Sequence, residues 1–180
     1  MQAYGVLNPP PPVVEVGKAA IAGPFELLTL AGKPFSNADL VGKPYLVFFG
    51  FTHCPDICPT TLYELTSLLA ELGTGADRLM PLFITVDPER DTADQLAFYM
   101  SEFDPRIVAL RGTPAQTASA AKAFAAYFKK IPEDGGDYTM EHTAGIILMD
   151  ARGEFAGKLD MHEPRDIQLK KLQRLIAPIT

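Results

Sequence analysis

An almost unbroken apolar and aromatic stretch runs from Tyr45 to Phe51 and leads into a helical pattern. The stretch is too short to cross a membrane and rich in β-formers, which predicts a strand buried on both faces. Thr61-Leu-Tyr-Glu64 has the spacing of a capping box. Leu62, Leu65, Leu69 and Leu72 then fall on one helical face, and Gly73 ends the pattern. A helix that starts at Thr61 and directly follows a buried strand indicates a sheet covered by helices.

A second apolar run, from Met80 to Val86, predicts another buried strand. Together with Tyr45–Phe51 and the helix between them it forms a parallel βαβ unit. The carboxyl end of this second strand carries Asp87-Pro-Glu-Arg-Asp-Thr92. Functional sites of open α/β sheets lie at such ends, so this turn is expected close to the residues that follow the first strand.

The flanking segments add two hairpins and three helices to this unit. The predicted strands, besides the two above, are Phe25–Leu30 with Phe35-Ser36 after a turn at Gly32-Lys-Pro34, Ile107–Leu110, and Ile146–Met149 with Glu154–Leu159. The predicted helical segments begin with a short turn at Asn37–Leu40 and a helix from Thr92. An alanine-rich helix is predicted from Thr113 to about Lys129 and would place Phe124 and Phe128 in the core. The last is an amphipathic helix after Pro164, whose apolar face carries Ile167, Leu172, Leu175 and Ile176. Lys130–Asp137 is predicted to be a polar loop.

This order of elements predicts an α/β protein of the thioredoxin-like sandwich type. Its central mixed sheet would be flanked by helices, with an N-terminal β-hairpin and an additional hairpin. Residues 1–22 contain Pro9–Pro12, which favours polyproline II and predicts a stiff proline-rich leader or a disordered end. Residues 23–180 are then expected to form one domain, a natural size for a single core.

The charge balance limits the classes of partner. The chain has 16 basic and 22 acidic residues and a formal net charge of −6, which speaks against nucleic acid or anionic lipid and is compatible with a basic partner protein. No run of about 18 apolar residues is present, and the first residues lack the features of a signal peptide. As written, the chain is expected to be soluble.

Cys54 and Cys58 are the only two cysteines of the 180 residues, and both fall between the first strand and the helix. Free N–H groups and the positive end of a helix dipole favour a thiolate there, so acidic thiols are expected. A disulfide across so short a loop would stabilise the fold by roughly 2 kcal/mol in the chain-entropy model, less than longer loops give. Stapling is therefore a poor reason for the pair, and simple packing is the remaining structural alternative.

Of the three histidines, His142 is the candidate that can join the cysteines. It precedes a buried strand, in a segment that a thioredoxin-like topology brings up against the cysteine turn. Two thiolates and one imidazole suit trigonal copper(I). Structural zinc normally takes four ligands, and His162 lies twenty residues away, which leaves zinc only as an open three-ligand site. His53 adjoins Cys54 and is expected to point away from it.

Four charged residues near the predicted site have two interpretations each. Asp56, between the cysteines, could cap the helix, or it could adjust a metal site by contacting the ligands without binding the metal itself. Asp87, Arg90 and Asp91 could form a salt-bridged turn or contact a partner.

The chain closely resembles the Sco/SenC copper-chaperone family in four pieces. They are Gly23-Pro-Phe25, the segment Phe48–Leu62, the segment Val86–Thr92, and His142-Thr143 followed by a hydrophobic strand and Asp150. The resemblance implies that Cys54, Cys58 and His142 bind copper, as copper(I) and with copper(II) left open. Glu141 departs from the aspartate that many relatives have before the histidine, so no role is assigned to that acid.

The same resemblance implies a function and a place. The protein would deliver copper to, or prepare the thiols of, the dinuclear copper site of cytochrome c oxidase. Its partners would be the copper-site subunit of the oxidase, with other copper chaperones or thioredoxin-like reductants as further candidates. The family resemblance also implies a membrane-tethered domain at the periplasmic face of the inner membrane, or in the mitochondrial intermembrane space.

Three other functions use the same fold. A periplasmic thiol-disulfide oxidoreductase with the same cysteine pair is the main alternative, although thioredoxins place a proline before the facing strand and His142-Thr-Ala-Gly145 has none. A thiol peroxidase would carry proline and threonine where this chain has Val47 and Phe51. An interaction or redox-sensing domain without a transfer role is the third. The missing proline favours metal binding over an enzymatic exchange reaction.

Overall fold

The computed structural model describes residues 23–55 and 57–178. The predicted proline-rich leader at residues 1–22 and Asp56 lie outside the described residues. The strands are β1 Glu26–Thr29, β2 Pro34–Ser36, β3 Tyr45–Gly50, β4 Met80–Thr85, β5 Val108–Arg111, β6 Phe128–Pro132, β7 Tyr138–His142, β8 Ile146–Met149 and β9 Phe155–Leu159. The helices are α1 Ile57–Leu72, α2 Ala93–Met100, α3 Pro114–Ala123 and α4 Arg165–Ile176, and short 3₁₀ segments lie at Asn37–Leu40, Gly73–Arg78 and Asp134–Gly136.

Seven strands form one mixed sheet in the order β2-β1-β5-β4-β3-β8-β9. β3, β4 and β5 are parallel, while β1 pairs with β5 and β8 pairs with β3 in the antiparallel sense. This arrangement confirms the predicted sandwich with its entry hairpin, its central βαβ unit and its closing hairpin. All six residues of β3 are buried, as expected for a strand covered on both faces.

Aromatic side chains fill the space on both sides of β3. On one face Phe124 packs against Tyr45 and Phe49, with ring centroids 6.3 and 6.1 Å apart. On the other face Phe48 packs against Phe83, 5.8 Å away, with Tyr99 of α2 behind it. No helix among residues 23–55 and 57–178 combines the length and the hydropathy needed to cross a bilayer.

The start of α1 differs from the prediction. The helix begins at Ile57, four residues before the capping-box pattern at Thr61, and Thr61 is a buried residue inside the helix. Pro59 lies in the first turn, where its missing N–H would have no helical partner in any case, so the helix can start ahead of it. Cys58 therefore belongs to the first turn of α1, not to the preceding loop.

The predicted helix to Lys129 and the predicted loop at Lys130–Asp137 are both wrong. α3 ends at Ala123 because Ala125 takes a positive φ of 51°, which stops the helix. β6 and β7 then form a separate two-stranded hairpin in which Phe128 pairs with His142. Phe124 is core as predicted, whereas Phe128 is only half-buried. The β6–β7 pair is called the histidine hairpin below.

The last helix confirms its predicted start, with Pro164 at the N-cap position of α4. Leu172 is fully buried, but Ile167, also predicted on the apolar face, is 38% exposed.

Truncation of α2 side chains tests which face of this helix carries the core. Leu96→Ala removes a fully buried side chain and is expected to lower the free energy of unfolding by about 2–5 kcal/mol. Phe98→Ala removes a larger side chain that is 79% exposed, and should change it by no more than about 0.5 kcal/mol. Urea unfolding followed by circular dichroism measures both values, and equal losses for the two variants would contradict the described packing of α2.

Candidate metal centre

The two cysteines lie where the chain leaves the sheet and enters α1. After β3 ends at Gly50, the chain turns so that the N–H of Cys54 donates to the carbonyl of Phe51 at 3.3 Å. The N–H of Cys58, in the first turn of α1, points at Cys54 Sγ at 3.5 Å. Cys58 is fully buried and Cys54 half-buried. The loop thus directs both sulfurs to the same side.

Gly50 makes room for the inner sulfur. A Cβ at this position would lie 3.0 Å from Cys58 Sγ and 2.8 Å from Phe83 Cε2. The second of these contacts involves a ring that is itself fully buried, so it cannot be relieved by moving a flexible side-chain end. A side chain at Gly50 would therefore displace either the Cys58 thiol or the core ring.

His142 approaches from the other side, at the end of β7. Its Nε2 is 3.6 Å from Cys58 Sγ, and its Nδ1 is 2.9 Å from the carbonyl oxygen of Thr143. A carbonyl only accepts, so in the neutral ring Nδ1 carries the hydrogen and Nε2 presents its lone pair to the thiol. The imidazole is also held by the edges of Phe48 and Phe51, at 6.5 and 5.7 Å between ring centroids.

The ligand atoms of Cys54, Cys58 and His142 all lie within 4.8 Å of one another. The two cysteines are neighbours at the start of α1, His142 comes from the end of β7, 84 residues after Cys58, and the donor set is the one predicted. Two sulfurs and one imidazole nitrogen are soft ligands, which select copper(I), zinc or iron–sulfur clusters. The arrangement can therefore bind one such ion, and the same two sulfurs can also exchange with a disulfide.

Burial controls the protonation of two of these groups. Loss of solvent lowers the pKa of His142, while its bond to the Thr143 carbonyl opposes this shift, so the ring is neutral at pH 7. Loss of solvent also raises the pKa of the Cys58 thiol well above its usual range. The expectation of an acidic thiol is wrong for Cys58, because its sulfur lies inside the core. There the cost of desolvating a thiolate exceeds the stabilisation that the helix N-terminus provides.

Asp91 holds the start of the cysteine loop. Its fully buried carboxylate accepts the N–H of Thr52 at 3.2 Å and the Thr52 hydroxyl at 2.5 Å. It also accepts the hydroxyl of Thr85, the last residue of β4, at 2.5 Å. The turn at residues 87–91, called the acidic turn below, is thereby fastened to the residue that precedes His53 and Cys54.

Asp87, in the same acidic turn, holds the histidine hairpin. One of its oxygens accepts the Tyr138 hydroxyl at 2.7 Å, and the other accepts Arg90 Nε at 2.5 Å. Arg90 stacks on the Tyr138 ring, with Cζ 3.7 Å from the centroid, and its Nη1 donates to the Tyr138 carbonyl at 2.8 Å. Lys130 Nζ lies 3.9 Å from the same centroid. Burial and the bond to Asp87 raise the pKa of Tyr138 to about 12, so the hydroxyl stays a donor.

The predicted salt-bridged turn is therefore present, but with divided roles. Arg90 pairs with Asp87 and with Asp137, whereas the partners of Asp91 are hydroxyl and backbone N–H groups. The guanidinium of Arg111 donates to the carbonyls of Asp91 and Pro88, which fixes the backbone of the turn.

The other sequence candidates lie outside the cluster. His53 and His162 are exposed, and neither belongs to the group of converging ligands. Glu141 is exposed and pairs in register with Lys129 across the histidine hairpin. Asp56 falls outside the described residues.

Sequence reasoning missed Tyr138, Thr52 and Thr85. Tyr138 directly follows the predicted polar loop, and the period-2 pattern of Tyr138-Thr-Met-Glu-His142 is the sequence signal that indicates a strand there. Nothing in the sequence pairs the tyrosine with Asp87, 51 residues away. The two threonines carry no signal beyond their places beside the ends of strands.

The chain is similar in sequence to a known protein family. A family model described as SCO1/SenC matches residues 14–177. Protein SCO1 homolog 1, mitochondrial, of Arabidopsis thaliana is 41% identical over 141 residues, which are 77% of this chain and 42% of that protein. The chain spans about half the length of the curated relatives it matches.

Two solved structures extend the comparison. Bradyrhizobium japonicum ScoI with copper bound is 44% identical, with a TM-score of 0.80 over 87% of this chain and 99% of that chain. BsSco, described as a member of the Sco family of cytochrome c oxidase assembly proteins, is 24% identical, with a TM-score of 0.71 over 88% of this chain and 95% of that chain, and shows the shared fold alone. From the matched length and these identities, the chain belongs to the SCO1/SenC family.

Proposed function

We propose that this protein is a copper metallochaperone that holds copper(I) with Cys54, Cys58 and His142. The observation that carries the proposal is the convergence of these three ligand atoms within 4.8 Å. Three soft donors suit trigonal copper(I), and structural zinc would want a fourth protein ligand. The copper-bound ScoI structure, a relative at 44% identity, supports this choice of metal.

Loading and release follow from the protonation of the site. Both sulfurs must bind copper as thiolates, so the buried Cys58 thiol gives up its proton when copper arrives. His142 is already neutral, with its Nδ1 hydrogen on the Thr143 carbonyl, and its Nε2 completes the shell without losing a proton. Thiolates of a partner then replace these ligands one at a time, which moves the ion without releasing it to water.

Family membership supports a recipient and a place. The recipient would be the copper-site subunit of cytochrome c oxidase, with other copper chaperones or thioredoxin-like reductants as further partners. The domain would work at the periplasmic face of the inner membrane or in the mitochondrial intermembrane space. The mitochondrial names of the Arabidopsis and yeast relatives and the Rickettsia prowazekii relative are consistent with these compartments.

The acidic turn positions both halves of the site. Asp91 fixes the loop that leads to Cys54, and Asp87 fixes the hairpin that carries His142. Because the two carboxylates belong to one turn, whose backbone is held by Arg111, the gap between the cysteines and the histidine is set by a single rigid segment. Tyr138 is the link between this segment and the hairpin.

Thiol-disulfide exchange is the second candidate function. The two sulfurs lie within 4.8 Å of each other, so a modest movement would bring them to the bonding distance of about 2.05 Å. In that reaction the two thiols transfer two electrons and two protons to a substrate disulfide, which leaves as two thiols. The Cys54–Cys58 disulfide that remains cannot bind copper until it is reduced again.

A copper titration tests the ligand set. Reduced wild-type protein should retain about one copper(I) per chain through dialysis against a weak chelator, while Cys54→Ser, Cys58→Ser and His142→Ala should each retain far less. His162→Ala is the matched control, because this exposed imidazole lies outside the cluster, and it should retain copper like the wild type. Wild-type retention below about a tenth of an equivalent would refute the copper proposal.

The same variants separate the two candidate functions. A thiol reductase needs both cysteines but not the imidazole, so His142→Ala would keep its rate of disulfide reduction while it loses copper. If the wild type reduces a protein disulfide catalytically and binds no copper, exchange is the function.

The pH dependence of copper affinity follows from the raised pKa of Cys58. At neutral pH this thiol is protonated, so its proton must leave on binding, and the affinity should rise by about tenfold per pH unit for this thiol alone between pH 7 and 8. Cys58→Ser should lower the slope of log affinity against pH by about one, because one proton fewer is released on binding. His142→Ala should weaken binding without changing the slope, because the lowered pKa of His142 keeps the ring neutral throughout this range. Competition with a coloured copper(I) ligand measures these slopes, and a pH-independent affinity would contradict this account.

Removing one hydroxyl tests the positioning by the acidic turn. Tyr138→Phe loses the bond to Asp87 but keeps the ring between Arg90 and Lys130, and should weaken copper(I) binding by about tenfold, since a hydrogen bond to a charged group contributes roughly 1.5–3 kcal/mol. Amide hydrogen exchange of the histidine hairpin in the metal-free protein should speed up in parallel.

Tyr127→Phe is the control for this substitution, because Tyr127 is 50% exposed and only its backbone makes hydrogen bonds to described residues. Unchanged exchange and affinity in Tyr138→Phe would show that the turn does not position the hairpin.

A further inference from the structure

A cleft of about 1150 Å³ opens on the opposite end of the sheet from the metal centre. It is lined by the segment before β3, the segment before β4, the β8–β9 hairpin and the end of α4. β3 begins beside the cleft at Tyr45 and ends beside the cysteines at Gly50. Six strand residues at about 3.3 Å each place the two sites about 20 Å apart.

The charge of the cleft is opposite to the charge of the chain. Its lining contains six basic and two acidic side chains, a formal charge of +4. The whole chain carries −6, so the residues outside the cleft carry −10. The overall composition speaks against an anionic partner, but it averages over two surfaces of opposite sign. We call this surface the basic cleft.

Most of these cations have no acidic partner. In the part of the chain that the structure describes, eight lysines and arginines make no ion pair and no side-chain hydrogen bond, and five of them line the basic cleft. These five are Lys43, Arg78, Arg152, Lys158 and Arg174. The sixth, Lys171, is paired with Glu163. Unpaired cations at one place repel each other, and a bound anion would remove that repulsion.

The floor of the basic cleft is apolar. Leu148 is buried, while Leu175 and Ile176 are half-buried and pack against the core. Three of the five unpaired cations are arginines, whose planar forks match the oxygens of phosphate. The cleft therefore presents phosphate-binding groups at its rim and an apolar surface below them.

We propose that the basic cleft binds an anionic phospholipid at a lipid surface. The phosphate would contact the arginines and lysines of the rim, and the glycerol and first acyl carbons would cover Leu175 and Ile176. A free phosphate ion would leave this apolar floor uncovered. The excess of acidic residues elsewhere would be repelled by the same surface, so the molecule would bind with the basic cleft toward the lipid and Cys54 and His142 facing the aqueous side.

Vesicle co-sedimentation with matched charge variants tests the proposal. The reduced wild-type protein should sediment with phosphatidylcholine vesicles that contain phosphatidylglycerol, not with phosphatidylcholine alone, and binding should weaken as salt is added. Each basic residue near an anionic surface contributes a factor of about five, so R78E/R152E/R174E should lose binding by at least about 100-fold. The matched pair for the control is R152E/R174E against K33E/K122E, which makes the same change of formal charge at two unpaired cations outside the cleft, and K33E/K122E should lose much less vesicle binding.

Several results would overturn the proposal. They are equal losses of vesicle binding for R152E/R174E and K33E/K122E, wild-type binding that is insensitive to phosphatidylglycerol, and inorganic phosphate competing at concentrations too low to screen charge. Stronger binding of a glutamate-rich peptide than of vesicles would identify an acidic protein segment as the occupant instead.

Copper retention and the circular dichroism melt serve as controls for folding in every variant, and neither should change. If the triple variant fails to fold, Arg152→Gln/Arg174→Gln provides the same comparison at a smaller charge change. The cleft is distant from the metal ligands, so loss of vesicle binding with intact copper retention tests this proposal separately from the copper proposal.

Discussion

The metal centre depends on two carboxylates buried in a single turn. Asp87 is 3% exposed and Asp91 is fully buried, and their carboxylate oxygens accept hydrogen bonds from hydroxyls, a backbone N–H and a guanidinium. Burying a carboxylate costs free energy unless its oxygens accept hydrogen bonds. Moving any of these donors away would leave a buried charged oxygen unpaired, and this penalty holds each donor in place. The partners include Thr52 and Tyr138, which belong to the two segments that carry the candidate metal ligands. The cost of burying charge thereby sets the geometry of the centre.

This arrangement explains why the ligands can come from a loop and a small hairpin. Neither the loop before α1 nor the two-stranded hairpin has a large core of its own, and a lone two-stranded hairpin is marginally stable in water. The seven-stranded sheet is the rigid part of the fold, and the acidic turn at the end of β4 fixes the cysteine loop and the histidine hairpin to it. The sheet thus determines the ligand separation through polar contacts at its edge.

The sequence predicts the sheet and the three ligands because both have strong local signals. The apolar runs at Tyr45–Phe51 and Met80–Val86 fix the central strands, and cysteines are so rare in this chain that the pair at Cys54 and Cys58 stands out. His142 follows from its place before a buried strand. The family resemblance then selects copper among the ions that such a donor set can bind.

What the sequence does not predict depends on tertiary contacts. The hairpin from Phe128 to His142 is largely polar and takes its strand structure from pairing and from Tyr138 on the acidic turn, so its local pattern is weak. The helix start at Ile57 was missed because a favourable capping pattern occurs one turn inside the helix. The raised pKa of Cys58 was missed because the depth of a side chain is not a property of the sequence around it.

The unequal exposure of the two sulfurs gives the site a direction. Cys54 is half-buried and reachable from outside, whereas Cys58 lies behind it against Gly50 and Phe83. In the proposed copper transfer, an incoming ion would meet the outer sulfur first and pass inward to the second sulfur and the imidazole, and on departure it would leave by the same sulfur last. Under that proposal, Cys54 would be the point at which another protein's thiolate shares the ion, and hand-over between two chains would pass through a mixed complex centred on that one residue.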